Sequence, residues 1–225
     1  TYRNTEVKYF PLGEYKFRYL VAELKKAKRF IFMEYFIVEE SYMWDTIREI
    51  LIEKVSEGVE VRFMYDGMCA ISMLPYNYPS QLRKYGIQCK MSNPMKPFLS
   101  TTQNNRDHRK IVVIDGKTAF TGGVNLADEY IGELERFGTW KDTAIMVQGE
   151  AVRNFTLMFL EIWNVDEPQE NYEKYLDASY CYGMTEGEGY VIPYGDSPLD
   201  HENVGELVYM DILNSANCLL YTSDA

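Results

Sequence analysis

Segments patterned as strands and segments patterned as helices follow one another along the chain, and that alternation limits the fold more than any other feature. VKYFPLG (7–13) reads as a short strand and a turn, and EYKFRYLVAELKKA (14–27) places its apolar residues at helical spacing. RFIFMEYFIV (29–38) is apolar enough for a buried strand. Ser41 is placed to cap a helix over 42–57, which Gly58 ends. VEVRFMYDG (59–67) is the next strand, Ser80 opens a short helix to Tyr85, and IQCKM (87–91) follows as a strand. Residues 92–107 form a polar, Pro-interrupted loop. KIVVID (110–115) and TAFTGG (118–123) pair around Asp115-Gly116, a strong hairpin turn. DTAIMVQG (142–149) is a strand and EAVRNFTLMFLEIWN (150–164) a helix. The order predicts a layered α/β domain.

Composition narrows the partners. The chain has 225 residues, 46% of them hydrophobic, enough for one large domain or for one domain and the start of another. No apolar run approaches the ~20 residues of a membrane span. With 23 basic and 34 acidic residues the net charge is −11, a poor balance for gripping nucleic acid, so no nucleic-acid partner is expected. Cys69, Cys89, Cys181 and Cys218 lie far apart, without metal-like pairing, and read as reduced, mostly buried thiols.

An internal echo sets the domain boundaries. YVIPYGD, then ENVGELVYMDILNSA, then NCLLYT repeat the opening order of strand, Pro-x-Gly turn, amphipathic helix ending in Ala, and apolar strand. Pro11-Leu12-Gly13 matches Pro193-Tyr194-Gly195, and Ala27 matches Ala216. Residues 1–163 are therefore expected to form a first domain, 164–189 a connector, and 190–225 the start of a second copy.

The stretch DHRKIVVIDGKTAFTGGVNLADEY (107–130) concentrates the chemistry. Its Gly116-Lys117-Thr118 is no phosphate loop, because Ile111 stands where the earlier Gly is needed and the context is a hairpin. His108 and Lys110 are two apart on an expected strand and so share a face, with Arg109 on the other. An imidazole can attack phosphorus or move a proton, and an ammonium beside it neutralises phosphoryl oxygens. Asp115 closes the strand into the turn. Gly122-Gly123 allows close backbone approach, and Asn125 can add a side-chain donor to an anion. Glu34, inside a buried strand, needs a partner, which Lys110 or a backbone donor could supply. Arg106 could meet a phosphate, and His201 reads as solvated surface.

His108-x-Lys110, four residues, Asp115, six residues, Gly122-Gly123-x-Asn125 resembles the signature of the phospholipase D superfamily. The flanks NNRDHRKIVVIDGKTAFTGGVNLADEYI, FGTWKDTAIMVQGEAV, MYDGM and YGDSPLDHENVGE are similar to bacterial cardiolipin synthases of the Gram-positive type. The resemblance implies a layered sandwich, a mixed sheet between helices occurring twice, with the active site between the copies. It implies transfer of a phosphatidyl group through a phosphohistidine, without metal or other cofactor, joining two phosphatidylglycerols to cardiolipin and glycerol. His108 becomes nucleophile or general acid, and Lys110 and Asn125 phosphate ligands. Asp115 enters the catalytic set as a motif member, and Asp142 becomes the carboxylate that fixes His108 through its second ring nitrogen. Gly122, Gly123, Glu34 and Arg106 fall on the substrate side. The implied partners are phosphatidylglycerol, other anionic phospholipids and a membrane surface, at the cytoplasmic face of the bacterial cell membrane.

These enzymes carry two such motifs and usually two N-terminal membrane helices, whereas this chain carries one motif. The missing half is expected from the same polypeptide, and the closing CLLYTSDA departs from the fuller apolar strand expected there. Two other readings stand beside this one: a one-motif phosphodiesterase or nuclease of the superfamily that completes its site as a homodimer, and a catalytically silent or lipid-binding fragment. Two loops, MLPYNYP (73–79) and NPMKPFLS (93–100), are apolar enough to meet a bilayer interface or to fold back as minor core.

Overall fold

A type I′ turn at Asp115-Gly116, with φ of +55° and +70°, joins two of the seven strands in the computed structural model and fixes their register. The structure describes residues 1–69, 73–94, 106–136, 138–165, 170–176, 187–195 and 203–217. The elements run β1 (Thr5–Phe10), α1 (Gly13–Lys26), β2 (Phe30–Tyr35), α2 (Tyr42–Ser56), β3 (Glu60–Asp66), α3 (Tyr78–Arg83), β4 (Gln88–Ser92), β5 (Ile111–Ile114) and β6 (Thr118–Gly122). A 3-10 turn (Asp128–Ile131), β7 (Ala144–Gly149), α4 (Val152–Trp163), α5 (Glu173–Leu176) and α6 (Val204–Asn214) follow. The sheet order is β1-β7-β6-β5-β2-β3-β4, with β2, β3 and β4 parallel and the other pairs antiparallel. The sheet is mixed and flanked by helices, as expected.

Alternate residues of each strand feed separate cores on the two faces. Ile31, Met33 and Tyr35 face the layer of α1, α2 and α3, where Trp44 stacks on Phe63 at 4.6 Å. Phe30 and Phe32 face α4, where Phe32 stacks on Phe159 at 4.9 Å. Ser41 Oγ caps α2 by accepting from Trp44 N at 3.4 Å, and Gly58 follows that helix with φ +88°. Cys69 and Cys89 are free and buried, while Cys181 and Cys218 lie outside the described residues.

Two boundaries differ from expectation, and one loop takes the second of its two expected courses. The short helix starts at Tyr78 rather than Ser80, because Pro79 presets the first turn. Residues 106–110 form no ladder, so His108 and Lys110 precede β5 instead of lying on it. Residues 73–79 fold back, with Leu74 and Tyr78 in the core and Tyr76 exposed. The other apolar loop falls largely in 95–105, outside the described residues, as do His201 and 218–225.

Residues 170–176 are tied to the sheet. Arg62 on β3 makes a forked pair with Glu170 at 2.8 Å on both nitrogens and contacts Glu60, and Tyr175 closes the cluster. Val191 exchanges two backbone bonds with Tyr2 at 2.9 Å, and Asn154 on α4 donates to Pro193 O at 3.2 Å. Residues 191–193 thus lie against Tyr2 and α4. Helix α6 buries no residue and exposes Leu207, Tyr209, Met210 and Ile212.

Candidate active site

His108 and Lys110 come together at the head of β5. Lys110 Nζ donates to His108 O at 2.6 Å and stands 3.2 Å from His108 Nδ1. Phe36, just past β2, packs on the imidazole at 4.5 Å between centroids, with the ammonium 5.4 Å from the same ring. Lys110 is buried and the imidazole is exposed. Burial, and then the Lys110 ammonium, lower the His108 pKa, while Asp107, Asp142 and Asp66 oppose them. Burial takes Lys110 down to about 8 against the pull of Asp142 and Asp107. A charged Lys110 facing Nδ1 makes that nitrogen an acceptor and puts the ring proton on Nε2. In that state the ring can donate a proton. Attack by Nε2 requires Lys110 to turn away so that Nδ1 can carry the proton instead.

Asp142 precedes β7. Its Oδ1 accepts from Thr143 N at 2.8 Å, and no hydrogen bond among the described residues joins it to His108. The expected direct contact is not made; the carboxylate acts on His108 and Lys110 through its charge. It also acts on Lys16 of α1, a buried lysine that donates to Tyr35 Oη at 2.8 Å and that burial lowers to about 7. Gly123 makes room for this carboxylate, since a Cβ there would lie 2.6 Å from Asp142 Cγ. Gly122, with φ +146°, leaves room for the Thr143–Ala144 backbone. The two glycines serve the β6–β7 contact and Asp142.

Three expected participants are committed elsewhere. Asn125 is buried, accepts from Ile37 N at 3.0 Å and donates to Tyr130 Oη at 2.9 Å, which holds the 124–130 loop against the end of β2. Asp115, at the far end of β5, accepts from the backbone N–H groups of Lys28, Arg29 and Phe30 at 2.9, 2.7 and 3.0 Å; it anchors the start of β2 and stands apart from His108. Arg106 donates to Asp66 at 3.1 Å and to Asn93 O at 2.7 Å.

Glu34 also finds a different partner. It lies on the α4 face with Arg109, whose Nη2 donates to Glu34 Oε1 at 3.2 Å and to Asp107 Oδ2 at 2.6 Å. The motif spacing marks neither Asp107 nor Arg109; the β2–β5 register, which sets Glu34 opposite Ile111, brings them to it. A cavity of about 420 Å³ borders His108, Arg109 and Lys110 and is walled by Ile145, Phe155 and Ile192.

Fold and site together define a phospholipase D-like domain with a single His-Lys pair. The family described as "Cardiolipin synthase, PLD-like domain" matches residues 20–163, and the chain belongs to it. A Streptococcus mutans protein described as uncharacterized is 54% identical over 98% of this chain and 47% of its own length. The cardiolipin synthase of Alkalihalophilus pseudofirmus is 38% identical over 95% of this chain and 42% of its own length. The chain thus spans less than half the length of these relatives. The fold is similar to NucT from Helicobacter pylori (TM-score 0.52, 15% identity, 71% of this chain and 96% of that one). It is also similar to phosphatidylserine synthase from Haemophilus influenzae (TM-score 0.52, 12% identity, 76% and 41%). No helix among the described residues is long and apolar enough to cross a membrane.

Proposed function

We propose that this chain supplies one catalytic half of a phosphatidyltransferase that joins two phosphatidylglycerols into cardiolipin and glycerol. The observation that carries the reading is the His108–Lys110 pair, 3.2 Å from ammonium to Nδ1, in a domain of the cardiolipin synthase family. In the first step one imidazole nitrogen attacks the phosphorus of phosphatidylglycerol. The P–O bond to the departing glycerol breaks, and that oxygen takes a proton from the partner histidine of the second copy. In the second step a hydroxyl of another phosphatidylglycerol gives up its proton to that partner and attacks the phosphohistidine, which frees His108. Lys110 neutralises the phosphoryl oxygens, and Asp142 supports the positive charge that develops on the ring. The second copy is proposed to begin near residue 190 and to continue in the same polypeptide, with the assembled site facing a lipid surface.

Phosphatidylglycerol turnover in vesicles, followed by lipid chromatography on the full-length protein, tests this. His108→Ala should abolish product, and Lys110→Ala should cost roughly 100-fold or more. Turnover retained in a folded His108→Ala protein overturns the assignment. The observation favouring a second reading is the likeness to NucT, nearly all of which is covered by one copy of this fold. On that reading a homodimer of this chain cleaves simple phosphodiesters such as bis(p-nitrophenyl) phosphate and leaves phosphatidylglycerol untouched.

A further inference from the structure

Beside His108 lies a cluster that the reaction scheme does not use. Arg109 Nε donates to both oxygens of Asp107 at 3.0 and 3.1 Å, and Arg109 Nη2 reaches Asp107 and Glu34 together. Arg109 N also donates to Asp107 Oδ1 at 3.0 Å, closing a tight loop of chain around His108. Arg109 Nη1 points to Met158 O on α4 at 3.5 Å, and Glu34 comes from the middle of the sheet, 75 residues away. The segment 106–110 has no ladder bonds of its own, so side-chain bonds must hold it.

We propose that Asp107, Arg109 and Glu34 form a positioning clamp that fixes the segment carrying His108 and Lys110 and places one negative charge, on Asp107, behind the imidazole. One guanidinium stands against two carboxyl groups, so the charges balance only if one carboxyl is protonated. Glu34 is the one that holds the proton. Burial pushes its pKa well up, the neighbouring Asp107 carboxylate adds to this, and its Oε2 has no hydrogen-bond partner. Burial would raise Asp107 too, but the bonds from Glu34 and Arg109 outweigh it and hold the carboxyl at about 2. The charged groups facing His108 are then Lys110, Asp107, Asp142 and Asp66, the last paired with Arg106.

The clamp matters to the proposed reaction only if His108 reacts, but its test reads the ring itself, so the two can fail separately. The chain holds two histidines, His108 and His201, so a His201→Gln background leaves one imidazole to follow by NMR against pH. In that background Asp107→Asn should move the His108 midpoint down by about half a pH unit, the size expected for removing one nearby charge through a partly aqueous path. Glu34→Gln, isosteric with the neutral acid, should leave the midpoint where it was. A folded Asp107→Asn protein with an unmoved midpoint overturns the proposal. So does a Glu34→Gln shift as large as that of Asp107→Asn, because Glu34 would then carry the charge. If Asp107→Asn does not fold, Arg109→Lys keeps the charge and removes the fork; displaced amide signals at 107–110 and an altered His108 midpoint support the clamp, and an unchanged ring environment overturns it.

Discussion

Gly122 and Gly123 are adjacent, yet replacing each with alanine should have opposite consequences. At Gly122 the backbone sits at φ +146°, a region that L side chains rarely enter, at a cost of about 1–3 kcal/mol. The new methyl would also lie 2.5 Å from Ala144 Cα and on the Thr143 carbonyl, atoms of a paired strand that cannot swing aside. Overpacking of that kind adds about 1–3 kcal/mol. The sum, about 2–6 kcal/mol, corresponds to a drop in Tm of roughly 4–24 °C for a chain of this size. At Gly123 the φ is ordinary, and the three atoms nearest the methyl all belong to the Asp142 carboxylate, with Cγ at 2.6 Å and Oδ2 at 2.7 Å. A side-chain carboxylate can rotate away, so Gly123→Ala should cost less than ~1 kcal/mol. It should nevertheless displace the negative charge that supports protonated His108 and Lys110, and so lower the His108 midpoint. Thermal melts and the imidazole titration of the two variants separate these effects. Equal destabilisation by both, or a Gly123→Ala protein with an unmoved His108 midpoint, would refute the reasoning.

Asp115→Ala removes one acceptor from three backbone N–H groups and should cost about 3 kcal/mol or more in denaturant unfolding. Asp115→Asn should fall between, and the His108 midpoint should not follow the loss; a shifted ring with intact stability would return Asp115 to the chemistry. Lys16 titrates at about 7 in the fold against an ordinary 10.5, so between those values the unfolded chain binds more protons and stability rises with pH. The Tm advantage of Lys16→Met over the parent should therefore shrink steadily from pH 7 to pH 10, and a constant difference would show that Lys16 is not a buried ionising group.

The parts of this molecule that sequence made legible are the local ones. Asp115-Gly116 announces its hairpin because both residues tolerate the left-handed backbone, and Ser41 and Gly58 mark the ends of α2 because caps act within one turn. The pairing of β1 with β7 was not legible, since their register joins Thr5 to Gly149 and no local pattern encodes it. In the site, the spacing of His108 and Lys110 sufficed to bring them together, although ahead of β5 and not on it. The partners of Glu34 and Asn125 depend on residues 75 and 88 positions away, and an amide capable of binding an anion reads the same in sequence when its groups are already taken. Asp115 illustrates the same limit: motif spacing marks it, but its three backbone partners lie 85 to 87 residues distant.

The electrostatics of the site set burial against nearby carboxylates, of which Asp142 reaches three bases, Asp107 reaches Lys110 and His108, and Asp66 reaches His108. Asp142 raises the pKa of Lys16, Lys110 and His108, and burial lowers each of them. Burial alone would leave less positive charge in the site than the carboxylates allow. Had each base its own counter-ion, the charge would be permanent but already neutralised, and an arriving phosphodiester would gain little. The combined pull of Asp142 and Asp107 leaves Lys110 mostly charged below its pKa of about 8. A negative phosphate brought beside Lys110 and His108 acts in the same direction as Asp142 and favours protonation of both. On the proposed reading, an anion bound there would add to the pull of the carboxylates on Lys110 and His108, although the 225-residue chain as a whole carries a net charge of −11.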